Sequence, residues 1–369
     1  MALPQAMTER RRPFPMADIR ETRQAGDRTR LALLAIALLV VGSVFSMLFS
    51  VTTGASDASI LDVISNMAGS ETALSTRDRI IIFDIRLPRA ILGFLIGASL
   101  AVSGTVMQGL FRNPLADPGL VGVSSGASLG AVAMIVLGSG LAAPLQALLG
   151  IYALPAAAFG GGLVTTLLLY RIATRHGQTS VATMLLAGIA LGALALAITG
   201  LLIYMANDQQ LRDLTFWSMG SLAGATWTKI AAASPIILLS FTALPMARGL
   251  NAITLGEAAA FHMGVPVQRL KNVVIVGVAA ATGASVAVSG GIGFVGIVVP
   301  HILRMAIGPD HRFLLPAAAL LGGSLLIFAD VLARTLVAPA ELPIGIITAA
   351  VGGPFFLWIL LRQRSRLAL

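Results

Sequence analysis

Long runs of apolar residues divide the chain, and this pattern limits what it can fold into more than any other feature. The first run, 31–50, contains no charged residue. A membrane-spanning helix needs about twenty such residues, since lipid offers no partner for backbone polar groups. Only 11% of the 369 residues are charged, against roughly 25% in soluble domains. The later runs are 90–110, 119–139, 147–170, 180–206, 228–247, 272–289, 292–308, 313–336 and 344–361. The sequence predicts an all-α integral membrane protein with about ten transmembrane helices.

The Lys and Arg residues predict how these helices are oriented. With the N-terminus inside, 18 of the 25 basic residues fall at inner ends of the runs and 7 at outer ends. Because cytoplasmic loops carry the excess of positive charge, both termini are predicted to be cytoplasmic, with an even number of spans. This topology, rather than nucleic-acid binding, explains the net charge of +9. Residues 1–30 are predicted to be a disordered, Arg-rich leader and 31–365 the membrane domain. The stretch 289–309 fits either a full span or a broken one.

Several kinds of chemistry have no support in the residues. No GxxxxGK[ST] loop is present, and neither Lys229 nor Lys271 follows a glycine, so the chain lacks an ATPase phosphate-binding loop. Cysteine is absent, and the four histidines are too dispersed to form a metal site. Of these, His176 and His311 are expected to be solvated in cytoplasmic turns. We therefore expect no catalytic residue, no metal site and no cofactor bound by this chain.

Ionisable residues are scarce at the centres of the apolar runs. Asp330 and Arg334 are spaced i, i+4 near an outer helix end and are expected to form a local ion pair. A carrier driven by an ion gradient usually needs ionisable residues in mid-membrane. A stand-alone secondary transporter of a hydrophobic substrate is therefore the less favoured alternative, and the energy for transport is expected to come from another subunit.

The segment "TLGEAAAFHMGV", residues 254–265, is predicted to be a short helix that cannot span a membrane. One helical turn would place Leu255, Ala258 and Ala259 on a shared face. The region 248–271 is cytoplasmic on the predicted topology. A helix lying on lipid would have more Lys and Arg on its polar face, so docking into a groove of another protein is favoured.

Small residues recur at helical spacing within the runs. Gly122, Gly126 and Gly130 form a GxxxGxxxG pattern. In lipid, such patterns let two helix backbones approach closely. We interpret these glycines as helix-packing residues and not as ligands.

Five motifs together resemble one protein family. They are "RLPRAILGFLIGASLAVSGTVMQGLFRNPLADPGLVGVSSGASLGA" (86–131), "FWSMGSL" (216–222), "LGEAAAFHMGV" (255–265), "GFVGIVVPHILR" (293–304) and "AELPIGIITAAVGGPFFLWIL" (340–360). These motifs are similar to the FecCD-type permease subunits of ABC importers for haem, iron-siderophore chelates or cobalamin. The likeness covers about residues 31–365, and "TFWSMGSLAGATW" is closest to haem permeases.

The resemblance implies a type II ABC importer fold with ten helices per subunit and short cytoplasmic coupling helices. It implies a homodimer in the bacterial inner membrane, in contact with lipid, whose translocation path follows the dimer axis. Two cytoplasmic ATPase subunits, which use ATP and Mg, and a periplasmic substrate-binding protein are the implied partners. The expected function is passage of haem, or a related iron or cobalt chelate, from the binding protein to the cytoplasm.

The resemblance also implies roles for two groups of cytoplasmic residues. The short helix becomes the coupling helix, which sits in a groove of the ATPase; its matching residues are Gly256, Glu257, Ala258, Ala259, Phe261 and Gly264. The cytoplasmic gate is matched by Asn113, Leu115, Thr179 and Ser180. Alternative roles are equally open: Thr179 and Ser180 can cap the fifth span, and Asn113, before a proline, can be a turn residue.

A third group is implied on the outer face. Arg86, Arg89 and Arg334 match arginines that receive acidic residues of the binding protein. Arginine suits this role because it forms bidentate, charge-assisted bonds with carboxylates. The alternative is local: Arg334 pairs with Asp330, while Arg86 and Arg89 reach lipid head groups or pair with Asp84.

Overall fold

The computed structural model describes residues 28–54, 76–175 and 178–367. Most of the predicted leader, 1–27, and His176 lie outside the described residues. Fourteen helices make up this part of the chain. They are α1 Thr29–Thr52, α2 Thr76–Leu110, α3 Val123–Leu137, α4 Ala143–Leu149, α5 Ala153–Ala173, α6 Val181–Tyr204, α7 Asp208–Ser218, α8 Trp227–Ile237, α9 Ala247–Thr254, α10 Glu257–His262, α11 Val267–Ser289, α12 Val295–Ile307, α13 His311–Thr335 and α14 Ile344–Leu367. One two-residue antiparallel pair, β1 Thr174–Arg175 with β2 Gln178–Thr179, joins α5 to α6.

Each of the ten predicted apolar runs falls on a helix, which confirms the predicted fold class. Among the described residues, six helices are long and apolar enough to cross a membrane. A seventh span is possible where α8, continued by a 3-10 segment to Ala243, meets α9 at a 52° bend. Three shorter apolar helices, Val123–Leu137, Val295–Ile307 and Ile344–Ile359, complete the set. Helix α7, by contrast, lies between two predicted runs and is too polar to be one of them.

The boundaries of several runs differ from the prediction, and three examples show why. Helix α2 begins at Thr76, fourteen residues before the predicted run, and includes a π-helical segment, Ile80–Arg86. The run 292–308 is a broken span, because α12 begins only at Val295 and residues 290–294 are not helical. The first run extends to Thr52. Hydropathy did not predict these ends. The start of α2 contains charged residues, and the residues before α12 include glycines, so neither stretch is an apolar run.

Helix α2 is the central helix of the bundle, and most of its length is buried. Leu92 and Ile96 belong to one core cluster with Leu326 of α13. Met107, on its inner half, belongs to a second core cluster with residues of α9 and α11. Because both clusters contain α2, this helix connects the two ends of the bundle.

Helices α3 and α5 lie in close contact along their small residues, as predicted for the GxxxGxxxG pattern. A Cβ atom on Gly126 would lie 2.5 Å from the carbonyl oxygen of Gly161. A Cβ on Gly161 would overlap the carbonyl oxygen of Gly126, and a Cβ on Gly130 would overlap that of Ala157. Contacts this short leave room only for hydrogen, so the helix-packing prediction is confirmed for Gly126 and Gly130. It is wrong for Gly122, which has a φ of 75° and precedes the first turn of α3.

Candidate functional site

The segment 254–265 forms a shorter helix than predicted. Helix α9 ends at Thr254, and α10 contains only Glu257–His262. Gly256 and Gly264 bound α10 with φ angles of 115° and 82°, which residues with a side chain rarely adopt. Two sharp turns therefore present this single helical turn as a protrusion between α9 and α11.

The outward face of this protrusion is apolar. Leu255, Phe261 and Met263 are 72%, 70% and 55% exposed, and Ala258 is exposed beside them. Ala259 was predicted to share this face, but it is only half-exposed, and Ala260 behind it is fully buried. Helix α10 begins at Glu257, three residues after the predicted start at Thr254, and Ala259 is partly buried beside Ala260. We call the exposed set Leu255, Ala258, Phe261 and Met263 the coupling surface.

An ion pair between an exposed carboxylate and a buried ammonium holds α10 against α11. The Lys271 ammonium lies 2.5 Å from a carboxylate oxygen of Glu257, and the Lys271 side chain is 2% exposed. The predicted coupling residue Glu257 therefore braces the helix through Lys271, although its own side chain stays 42% exposed. Sequence reasoning did not identify Lys271 as a functional residue. The rarity of lysine, with only two in the chain, could have drawn attention to it.

Asn251 on α9 connects the coupling region to α13. Its Nδ2 donates to Asp310 Oδ1 at 2.7 Å, and its Oδ1 accepts from the His311 backbone N–H at 2.9 Å. His311, predicted to be solvated, is 1% exposed, with its ring packed against Gly109 of α2. This prediction was wrong because the sequence places His311 in a turn without showing that α2 and α9 cover the turn.

Asp310 stays ionised in this arrangement. Burial raises the pKa of its carboxyl, but hydrogen bonds from Arg312 and Asn251 outweigh burial and lower the pKa to about 2. A carboxyl whose pKa is lowered in the folded state stabilises the fold above its ordinary pKa, and this stabilisation is lost as the pH falls toward 2. The link between α9 and α13 is therefore constant over the physiological range.

A large open cavity of about 1340 Å³ adjoins the coupling surface. Ala258 and Phe261 of that surface line it together with Glu257 and Lys271. Ser180 and Thr183, at the start of α6, line the same cavity. The structure thus brings one predicted gate residue close to the coupling region, a proximity that the sequence separation of about eighty residues did not reveal.

The predicted gate residues also have local structural roles. Asn113 is exposed, and its Oδ1 accepts from the Leu115 N–H at 2.9 Å, as expected of a turn residue. Ser180 caps α6, with its Oγ accepting from the Thr183 N–H at 3.3 Å. Thr179 pairs through its backbone with Thr174. These contacts agree with the alternative roles and are compatible with a gate, which stays a prediction.

The three outer arginines lie inside the described part of the protein rather than on its surface. Arg86, Arg89 and Arg334 are 4%, 7% and 7% exposed. Arg86 donates to the carbonyls of Val51 and Thr52 at 3.0 and 3.1 Å. Each guanidinium is therefore already engaged within the chain. Docking of a binding protein on them stays a prediction, and it would require acidic residues to compete with these contacts.

Asp330 is the centre of this cluster. Its two oxygens accept from Arg89 Nε at 2.9 and 3.0 Å, whereas the Arg334 Nε lies 3.5 Å away. Arg334 donates mainly to the carbonyls of Ser50 and Thr53, at 2.6 and 2.7 Å. The predicted Asp330–Arg334 pair is therefore present, but the closer partner of Asp330 comes from α2. That partner, Arg89, also bonds Glu341 at 3.0 Å.

One carboxyl between the helices was overlooked in the sequence. Asp117 precedes a 3-10 turn, Pro118–Val121, and its Oδ1 accepts from the Gly119 N–H at 2.8 Å. With Thr282 and Gly296 it lines a cavity of about 30 Å³. Sequence reasoning missed Asp117 because it lies in a short loop before α3, which hydropathy places outside the spans.

Comparison with known proteins places these features in a family. Residues 29–362 match the FecCD transport family. The hemin transport system permease protein HmuU of Yersinia pestis is 51% identical over 284 residues, which cover 77% of this chain and 84% of that protein. The cobalamin import system permease protein BtuC of Halobacterium salinarum is 45% identical over 292 residues, covering 79% of this chain and 76% of that protein.

A solved structure agrees with the sequence relatives. A metal-chelate type ABC transporter in an inward-facing conformation superposes with a TM-score of 0.74 at 32% identity. The superposition covers 90% of this chain and 99% of that one. Since the family match extends from the first helix almost to the end of α14, this chain belongs to the FecCD transport family.

Proposed function

We propose that this chain is the membrane-spanning permease subunit of an ABC importer that brings haem into the cytoplasm. The observation that carries the proposal is the coupling surface: an exposed apolar protrusion, braced from behind by Lys271, in a chain without a nucleotide-binding loop. Such a surface is unfavourable in water and needs a partner. An ATPase subunit that receives it would supply the energy that this chain cannot obtain from ATP itself.

The choice of haem rests on the relatives. Identity to the hemin permease is 51%, against 45% to the cobalamin permease. The motif "TFWSMGSLAGATW" points the same way. A related iron or cobalt chelate is the nearest alternative cargo, because the shared motifs belong to the fold and not to the cargo.

The proposed assembly contains two copies of this chain, two ATPase subunits that use ATP and Mg, and a periplasmic binding protein. Both termini are proposed to be cytoplasmic, in the bacterial inner membrane, on the basis of the distribution of Lys and Arg. The chain is proposed to have no enzymatic activity of its own and to bind no cofactor. Helix α6 has exposed apolar residues such as Leu186 and Leu196, at 70% and 72%, which a second copy would cover.

Reconstituted transport tests the function and the cargo together. Full-length permease, its ATPase and its binding protein are placed in proteoliposomes, and uptake of haem and of cobalamin is measured. We expect ATP-dependent uptake of haem and little uptake of cobalamin. Preferred uptake of cobalamin would contradict the proposal that haem is the cargo. Uptake driven by an ion gradient without ATP would instead support a stand-alone secondary transporter, for which Asp117 is the interior carboxyl to examine.

Replacing Phe261 with Asp is expected to separate the permease from its ATPase. The side chain is 70% exposed, so the change should leave the fold intact while placing a charge in the centre of the coupling surface. Truncating a central aromatic anchor costs about 2 kcal/mol or more in binding, or at least a thirtyfold loss of affinity. Co-purification and ATPase activity stimulated by the permease are the two measurements.

The matched control is Phe216→Asp. Phe216 is 63% exposed on α7, at the opposite, outer side of the predicted topology. This variant should keep its ATPase. If both variants behave alike, or if Phe261→Asp retains the ATPase at normal affinity, the coupling surface lies elsewhere.

Cysteine placed at Ser180 is expected to cross-link two copies of the chain. The native chain contains no cysteine, so every disulfide would come from the introduced residue. If the start of α6 lines the narrowest point on the dimer axis, the two sulfur atoms can meet there. Thr179→Cys should behave similarly, whereas Ser218→Cys on α7 should not cross-link. If both gate variants remain monomeric in every nucleotide state, the gate lies elsewhere.

A further inference from the structure

An apolar groove on the outside of the helix bundle ends at a lysine. The groove has a volume of about 190 Å³ and lies between α5, α8 and α11. Pro155 and Phe159 form one wall and Ala232 and Ile236 the other, with Ala284 and Val288 between them. Small alanine side chains make the surface concave, since larger residues at these positions would fill it.

Lys229 lies at one end of this groove. It occupies the first turn of α8 and is half-buried, and its ammonium rests over the backbone of Gly224. Among the residues that the structure describes, no carboxylate forms an ion pair with it. The side chain of the other lysine, Lys271, is by contrast neutralised by Glu257. An ammonium without a carboxylate partner, next to an apolar groove, is suited to bind an amphipathic anion.

The polar and apolar parts of the groove are arranged along the helix axes. Lys229 and Tyr152 are at the starts of α8 and α5, and Val288 is at the end of the antiparallel α11, so all three occupy the same end. From Lys229 to Ile236 the helix rises about 10 Å, which is most of the roughly 15 Å of hydrocarbon in one leaflet. On the predicted topology the polar end is at the level of the head groups, and the apolar remainder is in the acyl region.

We propose that this groove binds one anionic phospholipid, with its phosphate on the Lys229 ammonium and an acyl chain along Ala232 and Ile236. Charge complementarity selects an anionic head group, and Tyr152, which lines the groove at the same end, offers a hydroxyl to it. On the predicted topology the lipid belongs to the outer leaflet, where a basic residue is not explained by the positive-inside rule. Bound lipid would fill the space between α5, α8 and α11 and help to hold these helices together.

Native mass spectrometry of the delipidated full-length chain tests this site. Phosphatidylglycerol and phosphatidylcholine with identical acyl chains are titrated, and the occupancy of the first bound lipid is compared. We expect phosphatidylglycerol to bind about fivefold more tightly, the contribution of one basic residue near an anionic head group. Lys229→Ala should remove this preference, whereas Arg212→Ala, which deletes an exposed charge on α7, should preserve it.

A second variant tests the groove without touching the charge. Ala232 is exposed on the groove wall, so Ala232→Phe can fill the space from outside without disturbing the core. It should weaken binding of both lipids, and Ala156→Phe on the opposite wall serves if the first variant does not fold. An unchanged head-group preference in Lys229→Ala would overturn the proposal. It would also be overturned if Ala232→Phe changed the oligomeric state while lipid binding persisted, since the groove would then be an interface between copies.

Discussion

Asp330→Asn is expected to destabilise the protein by about 3–5 kcal/mol, the cost of removing one partner from a buried charge network. Its side chain is 3% exposed and has three N···O contacts of 2.9–3.0 Å with the Arg89 guanidinium. An amide cannot neutralise the guanidinium groups of Arg89 and Arg334, which would remain charged between α1, α2 and α13. The midpoint of thermal unfolding, followed by size-exclusion fluorescence in detergent, should fall well below that of the native chain.

The control for this variant is Asp213→Asn. Asp213 is exposed on α7 and accepts only from Gln209 at 3.3 Å, so its loss should change stability by less than about 0.5 kcal/mol. Replacing both Arg89 and Asp330 with leucine should recover part of the loss, because an apolar pair leaves no uncompensated charge in that contact. If Asp330→Asn has the same midpoint of thermal unfolding as the native chain, the cluster does not stabilise this end of the bundle.

The arginines predicted to dock the binding protein also stabilise the fold, which affects how a test of docking is interpreted. Arg86 and Arg334 hold the end of α1 through the carbonyls of Val51, Thr52, Ser50 and Thr53. A charge reversal at either residue would therefore disturb the fold as well as any partner. A loss of binding-protein affinity in such a variant carries weight only where its unfolding temperature is unchanged, and rescue by the reversed acidic partner is the decisive comparison.

Gly161→Ala is expected to destabilise the protein by about 1–3 kcal/mol or more, because overpacking forces two helices apart. The new Cβ would overlap the carbonyl oxygen of Gly126 on α3, and neither backbone can yield without moving a whole helix. Thermal unfolding of Gly161→Ala and of Gly160→Ala, measured in the same detergent, checks the expectation.

The adjacent Gly160 supplies a matched control. A Cβ on Gly160 has no atom within 4 Å, so Gly160→Ala meets open space on the same helix, in the same three-glycine run. Alanine is favoured over glycine in a helix by about 1 kcal/mol, so this variant should be neutral or slightly more stable. Equal effects of the two substitutions would show that α3 and α5 do not approach as closely as described.

Most of the helices could be predicted because the bilayer imposes one rule on every span. Apolar length is visible in a single sequence, and each predicted run coincides with a helix. The ends were less predictable, as α2 shows: its first turns include Arg77, Asp78 and Arg79, which hydropathy excludes although the helix continues through them. The break before α12 was left open for the same reason, since glycine permits both a helix and a turn.

The candidate site was predictable in its location and not in its details. The segment 254–265 was correctly placed outside the spans, because it is too short and too polar to cross lipid. Which residues face outward was decided by two glycines with positive φ, and these start the helix at Glu257 rather than at Thr254. The side chain that braces it, Lys271, is a core residue, although composition alone would place a lysine in water.

The sequence by itself determined the class of protein, the positions of the apolar helices and the glycines at which they pack, since these follow from local composition and spacing. Only the tertiary structure decided where the charges go. Arg89 lies 241 residues from Asp330, and His311 lies beneath helices that precede it by sixty residues or more. A buried charge is tolerable only next to its partner, and such partners are brought together by the packing of distant helices. No local pattern in the chain records that packing.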